Sequence, residues 1–225
     1  MLRIFAATAM ALALAAPAFA ENRNLSGFSN VGASGRFRVE VTQAETFAVS
    51  VDGRDAAQVE TRVSGDRLRI TQRGGWFGLG RRELDALVRV SLPRVEGLAA
   101  AAGVEMNAEA IASDDIRLAS AQGAELTVGD LRASDVSLAA AQGGLLNVAG
   151  ACETVEASAA MGGVIDAERL DCANADASAA MGGVVEVHAT QSVDASAAMG
   201  GVVSVSGAPQ TRSASATMGG DININ

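Results

Sequence analysis

The chain has 225 residues and a formal net charge of −9, from 17 basic residues that are all Arg against 26 acidic ones, with a single His and no Tyr. That length fits one domain with a sizeable core or two small ones. Phosphate recognition needs clustered positive charge, so nucleic acid is not an expected partner, and an anionic membrane surface is disfavoured for the same reason.

Residues 1–20, "MLRIFAATAMALALAAPAFA", place one Arg before a short apolar run and end in the small-x-small pattern Ala18-Phe19-Ala20. They read as a cleaved export signal in preference to a membrane anchor, because the run is short for a span of about 20 residues. No later segment is apolar enough to cross a bilayer, so a mature chain of residues 21–225 without a transmembrane segment is expected in the periplasm or at the cell surface.

Between residues 21 and 95 the sequence alternates in short segments: "GRFRVEVTQ", "TFAVSVDG", "AAQVETRVSG", "DRLRITQ" and "ALVRVSLP". Apolar–polar alternation with period two is the mark of strands, and Asp52-Gly53 and Ser64-Gly65-Asp66 supply turns between them. Within "RGGWFGLGRR" at 73–82, Trp76 and Phe77 mark a loop that reads either as a binding tip or as a flap over the first repeat.

From residue 96 to the end the chain repeats. The residue before each Gly or Gly-Gly is Ala102, Gln122, Gln142, Met161, Met181, Met199 and Met218, with steps of 20, 20, 19, 20, 18 and 19. Seven units at that period indicate a solenoid. Four residues after each anchor stand Met106, Leu126, Leu146, Ile165, Val185, Val203 and Ile222, and six after it an apolar residue again, with a polar residue between. That is a strand with one face buried. Leu98, Leu118, Leu138, Ala157, Ala177, Ala195 and Ala214 form a further inward column before the anchor. Paired glycines cost about 1 kcal/mol each inside a helix, which excludes the competing reading of an Ala-rich helix. The expected fold is therefore all-β: a parallel β-helix with rungs of 19–20 residues, about seven in number, preceded by an N-terminal β-strand segment that caps it. Each unit is expected to hold at least two short strands meeting at the Gly-rich corner, with Met filling irregular space beside the bend.

Cys152 and Cys172 each lie nine residues before their anchors. Neighbouring rungs stand about 4.8 Å apart, within disulfide range, so an exported chain is expected to join them; a pair of buried thiols is the alternative.

"FSNVGASGRFRVEVTQAETFAVSVDG", then "VETRVSGDRLRIT" and "VRVSLPRVEGLAAAAGV", resemble in order the motifs of the head GIN-domain family of auto-transporter-type adhesins. The resemblance spans about residues 25–225. It implies a β-helical domain outside the cytoplasm with adhesin-like activity. The chain departs from the family where the Ser-Gly-Ala-Ser-Asp corner becomes Ala-Ser-Ala-Ala-Met-Gly-Gly, and it lacks the many strands of about 10 residues that a translocating barrel needs.

Few residues point to catalysis. His188 reads as an exposed strand position, and a Ser206-His188-Asp166 arrangement is easily drawn in a solenoid rich in Ser and Asp. Arg117, Arg132, Arg169 and Arg212 fall in different columns, unlike the clustered groups of a polysaccharide lyase. Glu156, Asp176 and Asp194 stack on three consecutive rungs, where repulsion favours proton uptake, solvent screening or a bound Ca²⁺, against a solvated acidic face. The aligned Met residues could hold Cu(I), against simple gap filling. The chain closes on "MGGDININ" inside a strand, so the last rung is expected either to be covered by the N-terminal segment or to meet a second copy. These features together suggest an exported, non-enzymatic module that binds a glycan or protein surface. A self-assembling envelope scaffold is the second reading, and a carbohydrate-active enzyme a remote third.

Overall fold

In the computed structural model, residues 21–74 and 82–225 are described. Trp76 and Phe77 of the expected binding loop, and the expected export signal, lie outside them. Among the described residues, sixteen strands belong to one sheet that winds into a solenoid. The first eight are β1 (Glu21–Arg23), β2 (Asn30–Ser34), β3 (Arg38–Gln43), β4 (Ala48–Asp52), β5 (Val59–Ser64), β6 (Arg67–Gln72), β7 (Leu87–Leu92) and β8 (Gly97–Ala101). They are followed by β9 (Glu105–Ala121), β10 (Glu125–Ala141), β11 (Leu145–Ala160), β12 (Val164–Ala180), β13 (Val184–Ala198), β14 (Val202–Ser206), β15 (Thr211–Thr217) and β16 (Asp221–Ile224).

From β9 to β13 each rung is one bent strand of 15–17 residues rather than two short ones, so the only sharp corner in each of these rungs is the Gly-rich one. Successive rungs pair in parallel at the predicted register, Leu126 beside Met106 and Leu146, Ala177 beside Ala157 and Ala195. The change from 20 to 19 residues is absorbed on the far wall, where register shifts fall between Val128 and Leu131 and between Asn147 and Ala149.

Every corner is built the same way. Ala102, Gln122, Gln142, Met161, Met181, Met199 and Met218 all have positive φ, from 60° down to 48°, and so do the glycines after them. Two left-handed residues in succession make a type I′ turn, closed in the Met corners by bonds such as Gly183 N–H to Ala180 C=O at 3.0 Å. The second glycine has another reason. A Cβ at Gly183 would overlap the carbonyl oxygen of Ala159 on the preceding rung, and Gly163 and Gly201 sit equally close to Ala140 and Ala179. Seven corners delimit about six turns.

The core is a column of inward side chains that thins along the axis. Leu98, Leu118 and Leu138 are followed in the same column by Ala157, Ala177 and Ala195, all buried. The buried hydroxyl of Ser120 donates to the carbonyl of Ala124 at 2.7 Å, so this corner position tolerates a polar group where later rungs use Ala. The expected disulfide is present: Cys152 and Cys172 are bonded, with Cα atoms 4.6 Å apart.

The N-terminal strands enter the same stack. β2 pairs in parallel with both β6 and β8, and β3 with both β7 and β9, so strand pairing runs without a break across residue 95. The rung formed by β6 and β7 therefore lies outside the one formed by β2 and β3, although it comes later in the chain. Antiparallel β4 on β7, β1 on β4 and β5 on β6 finish that end. The N-terminal segment thus closes the end opposite β15 and β16 and does not fold over the last rung. All of β15 is exposed. No helix among the described residues is long and apolar enough to cross a membrane.

Candidate binding surfaces

Residues 112–115 of β9 and 132–134 of β10 face the segment after β7 across an open groove of about 790 Å³. Gln43, at the end of β3, fixes the two sides: its amide donates to the carbonyls of Pro93 and Ala112, and its Oε1 accepts from the Ala112 N–H at 2.7 Å. Arg94, Arg117 and Arg132 line the groove together with Glu96, Asp114 and Asp115. Glu96 is anchored by the hydroxyl of Ser29 at 2.8 Å and stands 3.6 Å from Arg94, while Arg132 is 3.5 Å from Asp130. Arg117 makes no side-chain hydrogen bond or ion pair among the described residues. Arg117 and Arg132 occupy different columns, as the sequence indicates, yet both line one groove. A column count treats the wall as flat and misses this.

A second groove lies beside the cap, lined by Arg38, Arg54, Arg82, Asp55, Asp85 and Glu105 among others. Two of its arginines are already paired, Arg54 2.6 Å from Asp85 and Arg82 2.5 Å from Asp55. The Arg82 hydrogen bonds hold the Asp55 carboxyl below its ordinary range.

The acidic ladder forms in register, Glu156 beside Asp176 and Asp176 beside Asp194. Partial burial, then the carboxylates of Asp194 and Glu156, push the Asp176 carboxyl up. Burial and the neighbouring Glu168 and Asp166 do the same to Glu186. The acids are stacked rather than convergent: among the described residues no group of three or more His, Cys, Asp or Glu is placed to hold a metal ion.

His188 and Ser206 do come together, with Nδ1 3.0 Å from the hydroxyl oxygen. The carboxylate on the other ring nitrogen is Asp171, 3.7 Å from Nε2, and not Asp166, which pairs in register with Glu186. The shorter rung shifts His188 opposite Asp171. This trio lies outside both grooves, with the Asp171 side chain 75% exposed. The corner methionines also depart from expectation. Met161, Met181 and Met199 are close to half exposed and Met218 is 73% exposed, because a left-handed residue at the tip of a turn directs its side chain away from the coil.

Residues 27–209 match the family described as "putative auto-transporter adhesin, head GIN domain". No curated protein matches the chain. Among solved structures, a putative adhesin from Bacteroides fragilis is similar with a TM-score of 0.84 at 17% identity, over 92% of this chain and 96% of that one. A putative lipid binding protein from Parabacteroides distasonis follows with a TM-score of 0.71 at 18% identity and the same coverages. A putative adhesin from Parabacteroides merdae gives 0.62 at 14%, again over 92% and 96%. At these identities the likeness is one of fold.

Proposed function

Since this chain belongs to the family described as "putative auto-transporter adhesin, head GIN domain", we propose that it is an exported, non-enzymatic envelope or cell-surface module that binds a glycan or protein surface. One observation carries the reading: the open groove in which Arg94, Arg117 and Arg132 are interleaved with Glu96, Asp114 and Asp115. Guanidinium groups donate to carboxylates and hydroxyls, and carboxylates accept from hydroxyls, so the groove offers both halves of a saccharide's hydrogen-bonding pattern. Its polar lining gives an acyl chain little to bury, which weighs against lipid, the ligand class named for one of the similar folds.

The test is binding of the purified protein to a panel of envelope glycans and proteins, with Ca²⁺ and then with chelator. A reproducible hit that Arg117→Ala weakens by about tenfold supports both the function and the groove. Loss of that hit on chelation would show that recognition depends on a divalent cation, and the same loss in Asp176→Asn would tie that cation to the Glu156, Asp176 and Asp194 ladder. A panel without hits sinks the reading.

A second reading, assembly through the last rung, is favoured by the wholly exposed β15. Its unpaired edge can take a strand from another copy. Light scattering that stays monomeric over a wide concentration range would exclude it.

A further inference from the structure

The corner methionines are unexplained by the fold. Met161, Met181, Met199 and Met218 take the first left-handed position of four successive type I′ turns, where Asn, Asp or Gly is the usual occupant. The same position holds Ala102, Gln122 and Gln142 in the preceding rungs, so the turn does not demand Met. Nor does the core, since all four side chains are exposed. The segments after these corners diverge, "VIDAERLDCA", "VVEVHATQSV" and "VVSVSGAPQT", while the Met itself is kept.

What the arrangement provides is a row of neutral soft donors at a fixed interval. Adjacent rungs are 4.6 Å apart where the cysteines measure them. A metal between two sulfur ligands, with bonds of about 2.3 Å each, spans about the same distance. Thioethers select Cu(I) over the harder divalent ions, and they carry no proton that must leave before the metal binds. Competing thiolates are absent, because among the described residues no cysteine is free. We infer that the edge formed by Met161, Met181, Met199 and Met218 is a binding site for a soft monovalent cation, Cu(I), held between thioethers of adjacent rungs. The site is separate from the Arg117 groove and does not depend on the adhesin reading.

The test is NMR of the full-length protein labelled with ¹³C in its methionine methyl groups, titrated without oxygen with Cu(I) kept reduced by ascorbate. The corner methyl signals should shift, and that of the fully buried Met106 should not. Zn²⁺ should move none of them. Two double variants test the spacing. Met161→Leu/Met218→Leu leaves an adjacent pair and should keep binding. Met181→Leu/Met199→Leu leaves thioethers on rungs too far apart to share an ion and should weaken it by about tenfold or more. Leu preserves the apolar bulk at an exposed position, and unchanged circular dichroism checks the fold. Absence of shifts with Cu(I), or equal binding by the two variants, overturns the proposal. The first of these would leave the row as an apolar docking stripe.

Discussion

Cys152 and Cys172 are direct partners in the sheet, one above the other on β11 and β12, so the disulfide ties two rungs at a point where the backbone already pairs them. Closing a loop of 20 residues is worth about 3 kcal/mol against the unfolded chain in the entropic account. The Cys152→Ala/Cys172→Ala protein should unfold about 2–4 kcal/mol more easily. Denaturant titration of that variant beside the oxidised protein measures it. Equal midpoints and slopes would mean that the tie adds nothing.

The raised Asp176 carboxyl gives a signed pH effect. Partial burial and its two acidic neighbours make the folded state take up a proton more readily than the unfolded one, whose carboxyl titrates near 3.8. The repulsive contribution is therefore present in full above the folded pKa, and stability is regained as pH falls from there toward 3.8. Asp176→Asn should melt higher than the parent at neutral pH, with the gap closing in acid. Glu186 shifts in the same direction and remains in both proteins, so the difference between the two melting curves isolates Asp176. A variant that melts lower than the parent at neutral pH would contradict the account.

The two glycines of one corner should respond unequally. A Cβ at Gly182 meets open space, so Gly182→Ala bears only the left-handed backbone, about 1 kcal/mol. Gly183→Ala drives a Cβ into the carbonyl of Ala159 and should cost more than about 3 kcal/mol or prevent folding. Met181→Asn, suited to the first turn position, should instead stabilise by a few tenths to about 1 kcal/mol. Thermal melts of the three variants rank them.

The thinning core makes size specific to each rung. Leu138→Ala should cost about 2–5 kcal/mol through the cavity it leaves. The reverse change two rungs along the same column, Ala177→Leu, should cost about 1–3 kcal/mol through overpacking, although it makes the core more apolar. If Ala177→Leu were stabilising, the narrowing described by Leu98, Leu118 and Leu138 against Ala157, Ala177 and Ala195 would be wrong.

The solenoid was legible in the sequence because its columns repeat. Polar Asn107, Thr127 and Asp166 between apolar neighbours fix which face is buried, and the nine-residue offset of each cysteine fixes the disulfide. Features that depend on how the wall bends were not legible. Met181 looks like core filler by hydrophobicity, but a left-handed φ of 50° turns it outward, and nothing in its residue type signals that. His188 was matched with Asp166 by counting, whereas a register shift between Ala167 and Asp171 sets it opposite Asp171. Arg117 and Arg132 share a groove although they stand in different columns of adjacent rungs. The order of the first rungs was equally hidden, since no repeat relates β2 and β3 to β6 and β7.

That order has a consequence for how the molecule comes to exist. β2 and β3 are the earliest long strands in the chain, yet both flanks of each are strands that come later in sequence, so they are held only when the chain through β9 has arrived. The cap is in this sense a seed whose assembly is non-local and slow. Beyond it, each rung lays down on the one before with only a turn to close, so the rest of the chain elongates by templating in the direction in which it is synthesised. A lesion in the cap should abolish the product, whereas one in a late rung should leave a shorter but ordered coil.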